Sequence, residues 1–397
     1  MASFRQRKKG GAWEYRIRYK DVYTGKYKEI TKGGFKRRTD AVTAANDVEL
    51  SLADGYVQNK DNPTLESYMK KWFEFAKSSY RANSQISKRN SINRISKKIG
   101  QVRLKDVNAY VIQKYLDDSA DEKYAHNTLN IDYSTIQAVL QQAVRDNYFK
   151  SFSFDGIRIP KAMPTKAARF WSIADLNRFV ELQQLEIDKL SKKSSKHNLY
   201  RAIRNYAIFL TLAGCGPRIS ELLACPYDAF DPETNILKLH HNLVPKSGDL
   251  KDRSDFVRTD IMKSKNGKRE VPVPSITANA INKWLAVRDD YLGMYCNAQT
   301  NDFLFPSPRL NKPLSRNEVN DSLKSMCKKF KLPLINIHGF RHTYASFLLQ
   351  SNVSAKQAQI LLGHGNIQTT LNIYTHVSID SKRDAVERLD NLLNGGK

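Results

Sequence analysis

Four patches in the second half of this 397-residue chain combine residue types that can act together on a phosphorus centre. In GPRISELL, Gly216 to Leu223, the glycine frees the backbone, and Pro217 suits a first helical turn because its missing N–H would have no partner there. Arg218 then projects from the start of a helix, where the dipole favours an anion. Glu221, three residues on, can hold the guanidinium by a charge-assisted bond. In HGFRHTYASFLL, His338 to Leu349, His338 and Arg341 share a helical face at i and i+3, while Ala345, Phe347 and Leu348 turn into the core. Such a pair can serve one phosphate as acid or base and as charge clamp. In LLGHGNIQTTLNIYTH, Leu361 to His376, Gly363 and Gly365 flank His364 and let a backbone approach closely, and Tyr374 follows ten residues after the histidine. In KSKNGKREVPVP, Lys263 to Pro274, Asn266-Gly267 is a hairpin signal, and a strand ahead of it would place Lys263 and Lys265 on one face.

Taken singly, each patch has an ordinary explanation. Arg-x-x-Glu on a helix is usually a surface ion pair, lysines at a hairpin tip are usually solvated, and one tyrosine among 19 is usually structural. The order R…K…HxxR…GH…Y is what is specific. On the strings GPRISELL, HGFRHTYASFLL and LLGHGNIQTTLNIYTH the chain resembles the tyrosine recombinase, or phage integrase, family, strongly over 165–397 and less specifically over 1–150.

The resemblance implies a reaction and a set of roles. Tyr374 would attack a DNA phosphodiester, forming a 3′-phosphotyrosyl bond and freeing a 5′-hydroxyl, and covalent storage of the ester would make rejoining independent of ATP. Arg218 and Arg341 would neutralise the oxyanion, because guanidinium stays charged and binds such oxygens bidentately. His338 would be the base for Tyr374, His364 would donate a hydrogen bond to the phosphate, and Glu221 would orient groups around Arg218. Lys263, with Lys265 as the alternative, would protonate the 5′ oxygen. No cofactor and no metal are implied, since these cations can do the work of Mg²⁺. The implied function is integration and excision of a mobile element through a Holliday junction. The implied partners are double-stranded DNA core and arm attachment sites, a homotetramer on that DNA, an excisionase and a host DNA-bending protein, all in a bacterial cytoplasm.

Three bodies have to position these residues. The expected architecture is mostly α and multidomain: a small β-sheet-plus-helix N-terminal module over 1–58, an all-α core-binding domain over 62–155, and an α+β catalytic domain over 165–397 ending in a tail. In the first, Trp13, Tyr15, Ile17 and Tyr19 alternate with Glu14, Arg16 and Arg18, the period of a strand. Thr24-Gly25 signals a turn, Tyr27–Ile30 resumes the alternation, and Gly33-Gly34 breaks the chain. Thr39 can cap a helix through Leu50, with Ala41, Ala44, Ala45 and Val48 on its apolar side. Arg16 and Arg18, interleaved with aromatics, are DNA-binding candidates, and by resemblance this is an arm-site module.

The polar stretch 56–63 reads as a linker. Thr64 then starts a helix with Leu65, Tyr68, Met69, Trp72, Phe73 and Ala76 on one side. A second helix over about 84–98 carries Lys88, Arg89, Arg94, Lys97 and Lys98, which can grip backbone phosphates. Helices near 106–117 and 126–146 follow. A break at 151–168 leads to a helix-rich region with a small sheet at Asn235–Leu243 and Arg269–Val273, and the polar stretch 246–260 reads as an insertion. On a terminal helix from about 380, Ala385, Val386, Leu389, Leu392 and Leu393 form an apolar face that, by resemblance, would dock on a neighbouring protomer.

Charge agrees with a polyanionic partner. The net is +25, and the surplus is spread: 14 basic against 7 acidic residues over 1–60, 17 against 11 over 61–164, and 34 against 22 beyond. No apolar run is long enough for a membrane span, and the basic N-terminus lacks the apolar stretch of a secretory signal. Cys215, Cys225, Cys296 and Cys327 match no zinc spacing and read as free thiols of a reducing cytosol. A type IB topoisomerase shares the chemistry but needs no 1–58 module, and a dedicated chromosome-dimer resolvase normally lacks one. A catalytically dead regulator would be expected to lose one of Arg218, His338, Arg341 or Tyr374, and all are present.

Overall fold

The computed structural model describes residues 2–6, 10–20, 26–53, 62–161, 169–192, 195–246, 256–262, 265–294, 302–307 and 313–374. The chain divides into two compact units, Met1–Thr165 and Lys166–Lys397.

In the first unit, β1 (Ser3–Gln6), β2 (Trp13–Lys20) and β3 (Tyr27–Phe35) form an antiparallel sheet in that order. The alternation in β2 buries Tyr15 and Ile17 with Ala45 of α1 (Arg38–Ala53) and sends Arg16 and Arg18 to the opposite face. There Arg16 pairs with Glu29 at 3.1 Å, and the Arg18 guanidinium lies 4.7 Å from the Tyr27 ring centre. Two expectations fail. Gly33-Gly34 does not break the chain but lies inside β3, where the register shifts between Trp13 and Glu14. A Cβ on Gly33 would come within 3.1 Å of the Glu14 Cβ, and Gly34 has φ +97°, so the glycines absorb a bulge and the strand continues. Thr39 lies within α1, which starts at Arg38, and so does not cap it.

The same unit holds α2 (Leu65–Ala76), α3 (Ala82–Ile99), α4 (Ala109–Asp121) and α5 (His126–Arg145). Thr64 starts α2 as expected, its hydroxyl accepting from Ser67 N–H at 3.3 Å. Leu65, Tyr68, Met69, Trp72 and Phe73 are buried with Ile95, Leu116 and Val139. The basic run on α3 is not uniformly solvated. Arg94 Nε donates at 3.0 Å to the fully buried Asp132, which also accepts from the Tyr115 hydroxyl at 2.8 Å. Lys88 donates to Thr135, Arg89 lies over the Phe73 ring, Lys98 pairs with Glu122, and Lys97 is exposed. Most of the expected linker 56–63 lies outside the described residues.

The second unit is built on α7 (Lys196–Cys215), whose last three turns are buried nearly all round. It packs against α6 (Ile173–Ser191), α9 (Ser275–Gly293) and α11 (Ile337–Gln350), with Trp171, Phe179, Phe209, Trp284 and Phe340 in the core. Trp171 ties the entering chain to α11: its backbone N–H donates to Thr343 Oγ1 at 2.9 Å and its indole N–H to the Pro333 carbonyl at 2.9 Å. After the short α8 (Ile219–Leu222), β4 (Phe230–Asp231), β5 (Ile236–Leu239) and β8 (Arg269–Pro272) make one antiparallel sheet, while β6 (Asn242–Pro245) pairs with β7 (Phe256–Thr259). The remaining helices are α10 (Arg316–Phe330), α12 (Ala355–Leu362) and α13 (Ile367–Tyr374).

This pairing overturns the hairpin expected at Asn266-Gly267. β8 joins β5, with Val271 opposite Leu237, because that register puts apolar faces together. Asn266 and Gly267 instead sit in a single 3₁₀ turn, Lys265–Gly267, so the argument that a strand puts Lys263 and Lys265 on one face does not apply. Within the polar stretch 246–260, Phe256–Thr259 form β7, and 247–255 lie outside the described residues. No described helix is long and apolar enough to cross a membrane.

Candidate active site

α7 ends at Gly216, whose φ of +61° reverses the chain, and any Cβ there would run into the Tyr344 ring. Pro217 lies outside α8 and not in its first turn, because Arg218 itself is the N-cap. Glu221 explains the boundary: its carboxylate accepts from the Arg218 backbone N–H at 2.9 Å and from Arg218 Nη1 at 2.6 Å, capping helix and guanidinium together. The expected ion pair is therefore present, and it is not a surface pair, for Glu221 is 3% exposed.

Arg269, at the start of β8, meets the same carboxylate. Its Nη2 donates to Glu221 at 3.1 Å, its Nε to the Leu361 carbonyl at 2.8 Å and its Nη1 to the Gly267 carbonyl at 3.1 Å. Burial by itself would raise the Glu221 pKa, but the Arg269 and Arg218 guanidiniums outweigh it and hold the carboxylate ionised, below its usual range.

α11 is capped by Asn336, which accepts from Gly339 N–H at 2.8 Å. His338 stands in its first turn and Arg341 one turn further. Arg341 is 3% exposed and donates through Nη1 to the Gly216 carbonyl at 2.9 Å and through Nη2 to the Leu362 carbonyl. Burial and the nearby Arg218 push its pKa down to about 9, which leaves it charged at neutral pH. Partial desolvation, with His342, Arg341 and Arg218 nearby, pushes the His338 pKa down to about 4, so that ring is neutral.

α12 ends at Gly363, with φ +66°, where a Cβ would sit 2.8 Å from both Arg269 Nη1 and the Asn266 carbonyl. The close backbone approach expected of this glycine is the observed one. Next comes His364, buried, with Nδ1 2.8 Å from Thr370 Oγ1. Desolvation, then Arg341 and Arg218, push its pKa down to about 3. Its carbonyl accepts from Gln359 at 3.1 Å and Asn266 at 3.4 Å. α13 packs on α11 and α12 and ends at Tyr374.

Arg218, Glu221, His338, Arg341 and His364 are thus brought into one electrostatically coupled cluster. Lys263 lies outside the described residues, as do Ala385, Val386, Leu389, Leu392 and Leu393, and only the backbone of Lys265 and Tyr374 is described. Arg16, Arg18, Lys88, Arg89, Arg94 and Lys97 belong to the first unit and are not part of the cluster. Sequence reasoning missed Arg269, Thr370 and Gln359. Arg269 left a signal: it is in phase with the buried Val271 on a strand, which puts it on the inner face. Chemically, Arg218 and Arg269 share the Glu221 carboxylate, Arg341 adds a third guanidinium, and the His338 and His364 imidazoles stay neutral. Such a cluster has positive charge in excess and suits the oxygens of an anionic ester.

Comparison with known proteins agrees. Residues 180–380, just over half of the chain, match the model of the Phage integrase family, and residues 3–52 match that of an Arm DNA-binding domain. The transposase from transposon Tn916 of Enterococcus faecalis is 26% identical over 277 residues, 68% of this chain and 64% of that protein, so the matched part spans less than two thirds of that relative. The prophage ps2 probable integrase of Lactococcus lactis is 25% identical over 398 aligned positions, 96% of this chain and 97% of the relative. A structure of the Tn1549 transposon integrase in complex with transposon right end DNA shares the fold, with a TM-score of 0.65 at 20% identity over 82% of this chain and 99% of that one.

Proposed function

The chain belongs to the phage integrase family, and we propose that it is a site-specific tyrosine recombinase that integrates and excises a mobile genetic element. The observation that carries this is the convergence of two arginines from distant parts of the chain. Arg341 bonds the carbonyl of Gly216, two residues before Arg218, and Arg218 Nη2 reaches toward the carbonyl of Gly363, next to His364, at 3.5 Å. A phosphodiester held there meets two charged guanidiniums and two neutral histidines.

The step balances on these residues. The Tyr374 oxygen bonds to phosphorus as the P–O5′ bond breaks. The phenol proton passes to neutral His338, and a lysine, Lys263 or Lys265, delivers a proton to the departing 5′ oxygen. Arg218 and Arg341 counter the charge that builds on the non-bridging oxygens, and His364 donates to one of them. Rejoining is the reverse, with a 5′-hydroxyl from a second duplex attacking the phosphotyrosine. Repetition on the other strands passes through a Holliday junction and requires four protomers on DNA.

Module 1–58 would bind arm sites through Arg16 and Arg18, 62–155 would clamp the core site, and 165–397 would hold the chemistry. An excisionase and a host DNA-bending protein would set direction, in a bacterial cytoplasm. The family model for residues 3–52 supports the arm assignment, and the spread of positive charge supports contact along the DNA.

A suicide substrate nicked beside the cleavage site tests the reading. Wild type is expected to be trapped as a slower band in a denaturing gel, and Tyr374→Phe to bind the same DNA without being trapped. Equal trapping of the Phe variant removes Tyr374 as nucleophile. No trapping of wild type on either end of its own element removes the recombinase reading.

A further inference from the structure

We infer that Arg269 is a positioning residue that holds the Lys265–Gly267 turn, which contains one leaving-group candidate and follows the other, Lys263, by two residues, in register with the rest of the site; this rests on the strand-transfer reading above. Arg269 is 8% exposed, and each arm of its guanidinium is bonded to a different segment. Nη1 donates to the carbonyl of Gly267, the last residue of the turn that begins at Lys265. Nε donates to the carbonyl of Leu361, in the last turn of α12, two residues before Gly363. Nη2 donates to Glu221, which holds Arg218. A planar guanidinium fixes these three directions at once, which an ammonium cannot do.

The turn and the His364 segment have a second link. Asn266 Nδ2 donates toward the His364 carbonyl at 3.4 Å, and a side chain at Gly363 would collide with both Arg269 and the Asn266 carbonyl. The turn is therefore seated directly on the stretch that presents His364, with Arg269 as the strut beneath both. Arg218 needs Arg269 less, because Glu221 grips it through two bonds of its own. The distinct contribution of Arg269 is placement of the turn, and hence of the proton donated to the 5′ oxygen.

This separates Arg269 from a merely structural arginine by substrate. Arg269→Lys keeps the charge but cannot bridge Gly267 and Leu361 together, and Arg269→Met removes the charge. Single-turnover cleavage of ordinary DNA by Arg269→Lys is expected to fall about 10²-fold, the scale of a misplaced catalytic group. On a substrate whose 5′ bridging oxygen is replaced by sulfur, the leaving thiolate needs no proton, and the same variant is expected to cleave within a few-fold of wild type. Lys263→Ala and Lys265→Ala, run beside it, identify which lysine gives the same rescue pattern. An equal loss on both substrates, or no loss on either, overturns the inference, as does absence of a cooperative melting transition in both Arg269 variants. Failure of wild type to form the tyrosyl adduct instead points to the function itself, so the two failures are distinguishable.

Discussion

The Nδ1 atom of His364 lies 2.8 Å from the hydroxyl of Thr370, and both side chains are buried. A neutral imidazole donates through only one nitrogen. For Nε2 to donate to a phosphate oxygen, Nδ1 must accept the Thr370 hydroxyl proton, and the hydroxyl is placed to supply it. Thr370→Val is expected to slow cleavage by about 10–100-fold, the scale seen when a histidine loses its orienting partner. DNA affinity should hold, and Thr370→Ser should restore the rate. Filter binding beside single-turnover cleavage checks this; a Val variant as fast as wild type would remove the role.

Glu221 is the one carboxylate between Arg218 and Arg269. Removing one partner of a buried ion pair strands the others, at a cost of roughly 3–5 kcal/mol. Arg218 keeps 25% of its side chain in solvent, so Glu221→Ala should fall near the lower end, about 3 kcal/mol. Denaturant unfolding measures it. Cleavage should fall further than stability accounts for, because Arg218 loses the bond that aims it.

Three histidines with lowered pKa values, His338, His342 and His364, make stability depend on pH in a defined direction. Burial and neighbouring arginines hold the His338 pKa at about 4 and the His364 pKa at about 3, against 6.5 for a free histidine. Between those values the unfolded chain binds protons that the folded chain refuses, so stability rises with pH there. It is complete above 6.5 and lost as pH falls toward 4. Glu221, with its pKa held below the usual 4.5, adds to the loss from about pH 4.5 downward. Melting temperature should drop from pH 7.5 to pH 5, and His364→Asn should flatten that drop. An unchanged slope would show that His364 is not the group responsible.

Local patterns carried much of this structure. The alternation from Trp13 to Tyr19, the Thr64 cap and the i, i+3 pairing of His338 with Arg341 are all decided within a few residues, and each appears in the fold. What was not legible depends on partners far along the chain. Asn266-Gly267 has the chemistry of a hairpin turn, yet β8 pairs with β5 and β7 with β6, a choice made by matching apolar faces. Arg269 went unmarked because its partners, Glu221 and the Leu361 carbonyl, are 48 and 92 residues away. Thr370 was passed over because nothing in the sequence marks a buried hydroxyl as the partner of a histidine six residues earlier.

Deleting residues 1–58 should leave cleavage of an isolated core site nearly intact while integration collapses. A module that bridges arm and core sites raises effective concentration, and its loss should hurt assembly more than chemistry. Footprinting of full-length and truncated protein decides: identical protection would mean that the module has no arm-site role. The arginine pair Arg16 and Arg18, on the sheet face away from α1, can be tested alone, since their replacement by Ala should reduce the salt dependence of arm-site binding by about one contact each.

The entry point of the second unit has a mechanical consequence. Trp171 is fastened by its backbone N–H to Thr343 and by its indole to Pro333, and an added Cβ on Gly339 would sit 2.7 Å from the Arg169 carbonyl. Gly339 and Thr343 bracket Arg341 on α11 and follow His338 on the same helix. Whatever displaces Arg169 or Trp171 is therefore felt directly by the helix that carries His338 and Arg341.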